Sequence, residues 1–245
     1  MVLLSNMSTP RTVALITGAS QGLGLSIARE YARQGIGLIL TARGQGALKR
    51  AAEELAERTA VVAIPGDVSD DKHLQRLVAS GLERLGHIDI LVNNASELGP
   101  SPMPNLEALS TSDFKHVLDV NVVAPLRLIQ LVLPRMKQRN TGLIVNVTSD
   151  AGVQAYPTWG GYGASKAALE HLSRVLAAEL EGSGVRVIVV DPGDMNTAMH
   201  QAAEPGVDLS HLPDPEQVAP AFVELLEGRE PFARIEAQLR MGAAI

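Results

Sequence analysis

The chain has 245 residues, 46% of them hydrophobic and 20% charged, with a formal net charge of −6. That length and composition suit one α/β domain with a large core. The acidic balance, with no Lys/Arg cluster, argues against nucleic acid or membrane as partner, and the absence of cysteine excludes disulfides, thiolate catalysis and Cys-based zinc sites.

The elements follow in chain order. Residues 1–11, MVLLSNMSTPR, have no basic n-region and are expected as a disordered lead, with Met7 an equal candidate for the start. No apolar run approaches the roughly 20 residues that span a bilayer, so a cytoplasmic location is the expectation. Residues 13–17 read as a strand and 22–34 as a helix closed by Gly35. Strands are predicted at 36–41, 61–64 and 88–92, with helices at 45–58 and 70–85 between them. A Pro-rich loop at 99–105 precedes a long helical segment at 111–139, then a strand at 143–148. A helix at 161–181 and a strand at 185–190 follow, then a weakly structured Pro/Gly-rich stretch at 193–215 and a helix at 215–227. The last 15 residues are ambiguous, with 234–237 the only strand-like piece. Aromatics are only 3%, so Val, Leu, Ile and Ala must fill the core, as parallel strands buried on both faces require. Alternating strands and helices imply a single α/β domain over residues 12–245: a doubly wound, Rossmann-like parallel sheet in three layers.

The first strand runs into Thr17-Gly18-Ala19-Ser20-Gln21-Gly22-Leu23-Gly24. Glycines there allow a tight turn and close backbone approach, and the helix that follows offers free N–H groups and a positive dipole end to a pyrophosphate. The spacing is G-x-x-x-G-x-G. It resembles the short-chain dehydrogenase/reductase family, and the resemblance runs to about residue 225.

The resemblance implies an extended Rossmann domain that binds a nicotinamide dinucleotide. Gly18, Ser20, Gln21, Gly22, Leu23 and Gly24 would form the phosphate loop. Ala42 stands where NAD-using members carry Asp, and Arg43 matches the position that pairs with a 2′-phosphate, so NADP(H) is favoured over NAD(H). Asp67 and Val68 match the residues at the adenine. Asn93-Asn94-Ala95-Ser96 resembles the family's N-N-A-G, with Asn94 and Ala95 under the cofactor. Ser96 replaces Gly and would strain the chain if that position needed a positive φ. Pro192, Gly193 and Thr197 match the segment at the nicotinamide, and 194–212 would form a substrate lid, with Met195 and Met199 as candidates to face substrate.

Tyr162 and Lys166 are four residues apart in a predicted helix, hence on one face. A cation within ~4–6 Å, reinforced by a positive nicotinamide, favours phenolate and makes Tyr162 a usable acid and base near neutrality. Ser149 ends the preceding strand and can hold a carbonyl oxygen, while adjacent Thr148 should point to the other side. Asn121 sits in an apolar run, and Pro125 four residues on lacks the N–H that would bond the Asn121 carbonyl. It resembles the family's catalytic Asn, whose carbonyl holds a relay water.

The expectation is therefore an NADP(H)-dependent oxidoreductase that interconverts a ketone or aldehyde and an alcohol, with Asn121, Ser149, Tyr162 and Lys166 catalytic. The substrate is a small molecule, and a homodimer or homotetramer is implied by the family. The scattered histidines include no HExxH pair, so no metal is expected. Two alternatives stay open: a 3-oxoacyl-carrier-protein reductase, disfavoured by the missing V-D-G-G-like last strand, and a non-catalytic dinucleotide sensor. A methyltransferase on a related sheet would want an acidic residue where Ala42-Arg43 stands.

Overall fold

Runs of Val, Ile and Leu bounded by Gly, Pro or Asp become strands because their side chains can be buried on both sheet faces at once. A computed structural model of the chain describes residues 2–3 and 10–241. Its strands are β1 (Val2–Leu3), β2 (Val13–Thr17), β3 (Gly37–Thr41), β4 (Val61–Ala63), β5 (Ile90–Asn93), β6 (Gly142–Val147), β7 (Val185–Asp191) and β8 (Phe232–Glu236). The helices are α1 (Gly22–Arg33), α2 (Gln45–Leu55), α3 (Asp71–Leu85), α4 (Thr111–Leu118), α5 (Ala124–Gln138), α6 (Gly160–Glu179), α7 (Ala198–Ala203), α8 (Pro215–Val218), α9 (Pro220–Glu227) and α10 (Ala237–Met241).

The sheet order is β1-β4-β3-β2-β5-β6-β7-β8. Strands β2 to β8 are parallel, and β1 pairs antiparallel with β4. The chain winds outward from β2 in one direction and from β5 in the other. The crevice at the carboxyl ends of β2 and β5 is thus the switch point, where such sheets bind ligands. One core layer joins Ile27 and Tyr31 of α1, Leu48 of α2 and Phe222 of α9. The opposite layer joins Leu74 and Leu77 of α3 with Val120, Leu128 and Met136.

Four expectations are corrected. Val2–Leu3, within the lead expected to lack structure, pair with Val61 and Val62, whereas residues 1 and 4–9 lie outside the described residues. The segment 193–215 contains α7, started by the Thr197 hydroxyl accepting from His200 N at 3.1 Å. The ambiguous tail supplies β8, in register with Val187 to Asp191 of β7. Thr111–Gln138 is long and apolar enough to cross a membrane by length and composition, but Val117, Ala124, Ile129 and Val132 from it are buried in the fold. That long helix is also not uniform: Asp119–Val123 is a π-turn, the kind of defect that marks functional sites.

Candidate active site

Thr17 carries the chain out of β2 and into the glycine loop. Gly18 and Gly22 have φ of +67° and +54°, the left-handed region that favours glycine. A Cβ on Gly24 would stand 2.4 Å from Gly18 O and 2.5 Å from Asn94 Nδ2, so α1 can press on the loop only without a side chain there. Gln21 caps α1 with no side-chain bond, and the first turn has no acidic residue. The N-terminal N–H groups of α1 are left to an anion. The loop opens on a cleft of about 890 Å³. Gly18, Ser20, Gln21, Gly22, Leu23, Arg43, Asp67, Val68, Asn94, Ala95, Pro192, Gly193 and Thr197 all line it; Gly24 instead shapes it from behind.

At one end of the cleft Arg43 is exposed and pairs with Glu97, Nη1 to Oε2 at 3.4 Å. Asp67 accepts from Ser69 N and Ser69 Oγ, both at 2.8 Å. Burial works to raise the Asp67 pKa, yet the bonds from Ser69 and the charge of Arg43 hold it below the usual carboxylate value.

At the other end, Ser149, Tyr162 and Lys166 meet, as their spacing predicted. Tyr162 and Lys166 are both buried on α6, and Lys166 Nζ lies 5.3 Å from the Tyr162 ring centroid while donating to Val147 O at 2.9 Å. Burial pushes the Tyr162 phenol well above its ordinary value; the hydroxyls of Ser96 and Ser149 pull it down in part. Burial also lowers Lys166 to about 8. In the protein alone, desolvation therefore dominates the phenol, whereas the lowering expected from the sequence also counts on a positive nicotinamide. Ser149 Oγ donates to Asp150 Oδ1 at 3.0 Å and accepts from Ala151 N at 3.2 Å. Thr148 points elsewhere, to Glu170 Oε1 at 2.9 Å. Asn121 lies in the π-turn, and its buried amide is fully used: Nδ2 donates to Glu97 O and Ser165 Oγ, each at 2.9 Å, and Oδ1 accepts from Glu97 N and Ser96 Oγ. It sits behind the cleft and ties its wall to α6. At the end of β7, Gly193 has a φ of +71° and donates its N–H to Asp191 Oδ1 at 3.0 Å.

The sequence profile of the short chain dehydrogenases matches residues 12–208. The chain belongs to that family. This short chain dehydrogenase is thus an oxidoreductase of CH–OH and C=O groups. Oxidoreductase UcpA of Salmonella typhimurium is 37% identical over 231 residues, covering 94% of this chain and 84% of that protein. A short chain dehydrogenase from Shigella flexneri, solved with NADP, superposes with a TM-score of 0.85 at 28% identity, over 94% of this chain and all of the other. A 3-ketoacyl-(acyl-carrier-protein) reductase from Brucella melitensis, solved with NADH, gives 0.84 at 25% identity over 94% and 97%.

Several site residues of this short chain dehydrogenase escaped the sequence reading. Thr17 is one: its hydroxyl accepts from Asn94 N and Ala95 N across the switch point. Ser96 is another. It is not among the residues with positive φ, so it carries no strain, and its hydroxyl faces both Asn121 and Tyr162. Trp159 packs edge-on against Tyr162, with centroids 5.8 Å apart, and lines the cleft. Only its place three residues before Tyr162 hinted at this.

Proposed function

We propose that the enzyme interconverts a ketone or aldehyde and an alcohol with NADP(H) as hydride partner. The observation that carries this reading is one cleft that holds, end to end, an uncapped helix terminus behind left-handed glycines and the Ser149–Tyr162–Lys166 cluster. The terminus fits a pyrophosphate, and the cluster fits an oxygen that gains or loses a proton. When bound, the nicotinamide supplies or accepts the hydride. In reduction, Tyr162 gives its hydroxyl proton to the substrate oxygen, which Ser149 orients once its hydroxyl turns from Asp150. Lys166 favours the resulting phenolate and is itself held by Val147 O. Asn121, with its amide fully engaged, offers only its main-chain carbonyl to a proton relay.

Arg43 supports NADP(H) over NAD(H), since nothing acidic stands at Ala42 to accept a ribose hydroxyl. The NADP in the Shigella neighbour agrees with this, and the NADH in the Brucella neighbour keeps NAD(H) as the alternative. The exposed Leu126, Leu172 and Val175 border a groove between α5 and α6, where a second copy would pack.

The test is a panel of carbonyls and alcohols with each nicotinamide, run on the wild type and Tyr162→Phe. The variant keeps dinucleotide binding and loses about 10²–10⁴ in turnover. Unchanged turnover would overturn the role of Tyr162.

A further inference from the structure

β8 pairs with β7 so that Arg234 lies opposite Val189 and Glu236 opposite Asp191. Side chains two apart share a sheet face, so Arg234 reaches Asp191 at the end of β7 and Glu170 on α6. Its Nη2 stands 3.2 Å from Asp191 Oδ2, and its Nε stands 3.2 and 3.3 Å from the two Glu170 oxygens. Glu170 and Asp191 are buried, 4% and 6% exposed. Thr148 adds a hydrogen bond to Glu170, and Gly193 N adds one to Asp191. Two buried carboxylates beside one another need a cation, because an unpaired charge loses its hydration with nothing in return. Arg174 also reaches Glu170 at 3.5 Å, but from a mostly exposed position where water screens it. Glu236, bound to Arg234 at 3.2 Å, is exposed as well.

Asp191 is the link to the chemistry. It lines the same cleft as Tyr162 and Lys166, and its charge acts on both. We propose that Arg234 is a positioning residue for the Tyr162–Lys166 pair: its guanidinium clamps Asp191 and Glu170 and cancels their charge behind the cluster. The proposal rests on the catalytic reading above, but its consequences can be measured without turnover. The charged groups around the pair come from four elements: Lys166 and Glu170 of α6, Asp191 of β7, Arg234 of β8 and Asp150 of the 3₁₀ turn after β6. Of these, Arg234 alone touches both buried carboxylates.

With Arg234 removed, Asp191 faces Lys166 uncompensated, and the ammonium holds its proton longer. With Asp191 neutralised, Lys166 loses an attractive charge and releases its proton sooner. Because Arg234 acts through Asp191, the two changes are not additive. A merely structural role, pinning β8 to the sheet, would loosen the fold and leave the Lys166 titration where it was.

The experiment follows Lys166 by NMR of the full chain labelled at lysine Cε, without nicotinamide or substrate. The Lys166 signal is assigned by its loss in Lys166→Met. Arg234→Met raises the proton affinity of Lys166 about tenfold, and Asp191→Asn lowers it by a similar factor. Arg234→Lys keeps the wild-type midpoint. Arg234→Met made in the Asp191→Asn background adds little. An unmoved midpoint in Arg234→Met, or an equal shift with and without Asp191, overturns the proposal. Should Arg234→Met fail to fold, the near-isosteric Asp191→Asn decides alone: a lower midpoint supports it, and an unchanged one sinks it. If Lys166 shifts as stated while the carbonyl panel shows no turnover, the catalytic reading falls and the electrostatic one stands.

Discussion

Arg43 and Glu97 meet across the mouth of the cleft, guanidinium Nη1 to carboxylate Oε2 at 3.4 Å. The residue that matches the 2′-phosphate position therefore already has an anion beside it. An incoming phosphate competes with Glu97 for Arg43 and meets the negative charge of Glu97 as well. Glu97→Gln removes the competitor and strengthens NADPH binding, while NADH, with no phosphate there, is little affected. If Arg43 holds the phosphate as proposed, Arg43→Ala removes that charge-assisted bond, a loss of about 1.5–3 kcal/mol or roughly 10–150-fold. Dissociation constants for both nicotinamides check this. An equal loss for NADH and NADPH in Arg43→Ala would show that Arg43 does not read the phosphate.

Lys166 gives a pH-dependent test of a different kind. Burial lowers its pKa from 10.5 to about 8. Above 10.5 the side chain is neutral in both folded and unfolded chains and costs nothing. As pH falls from there toward 8, the unfolded chain takes up the proton first, so stability is lost across that window and stays lower beneath it. Lys166→Met avoids this loss. At pH 7 it gains on the order of 3 kcal/mol from the shift, less the donor that Val147 O loses, while turnover disappears. Near pH 10.5 the gain shrinks. Urea unfolding at the two pH values measures it, and a constant difference between them would show that Lys166 is not desolvated.

The parts of the fold that were legible in the sequence have local causes. Residues 13–16 alternate nothing and are all apolar, which marks a strand buried on both faces. Tyr162 and Lys166 are one turn apart, so helicity alone brought them together. What stayed hidden depends on long-range pairing. β8 is marked by a few residues among charged ones and becomes a strand because β7 presents an open edge to it. The Arg234 clamp joins side chains 43 and 64 residues apart, with no local signature. The six-residue α7 is fixed by its Thr197 cap, which reads equally well as a loop hydroxyl. The strength of desolvation at Tyr162 is hidden for a related reason: spacing shows the ammonium but not how deeply both groups are buried.

Thr17 and Asn94 make the switch point rigid. Besides accepting from Asn94 N at 3.0 Å and Ala95 N at 2.9 Å, Thr17 offers its carbonyl to Asn94 Nδ2 at 2.9 Å. Thr17→Val keeps the shape and removes the acceptor of two N–H groups. Each donor left without a partner costs about 1–3 kcal/mol. The variant unfolds at lower urea and binds dinucleotide more weakly, because the wall facing Gly18 loses its fixed spacing. Asn94→Ala removes the amide but leaves the Thr17 acceptor in use, so it costs less. Equal stability of Thr17→Val and wild type would show that water replaces the hydroxyl.

His73 is placed to make the fold sensitive to acid. It is buried, with Nε2 2.8 Å from Thr41 Oγ1 and Nδ1 3.2 Å from Arg76 Nη2. Burial, and then the Arg76 charge, hold its pKa below the ordinary 6.5. Above 6.5 the ring is neutral folded or unfolded. As pH falls below that value the unfolded chain binds the proton first, so stability drops until the folded pKa is passed. Gly66 packs against the ring from the other side: a Cβ there would lie 2.3 Å from His73 Nδ1, so a residue with a side chain at 66 would push the ring from its place. His73→Gln keeps polar atoms near Thr41 and cannot charge. It loses stability at pH 7, where the native ring is well partnered, but its stability changes less between pH 6.5 and 5 than that of the wild type. Thermal unfolding across that range checks the slope, and parallel curves for the two proteins would assign the acid sensitivity to another group.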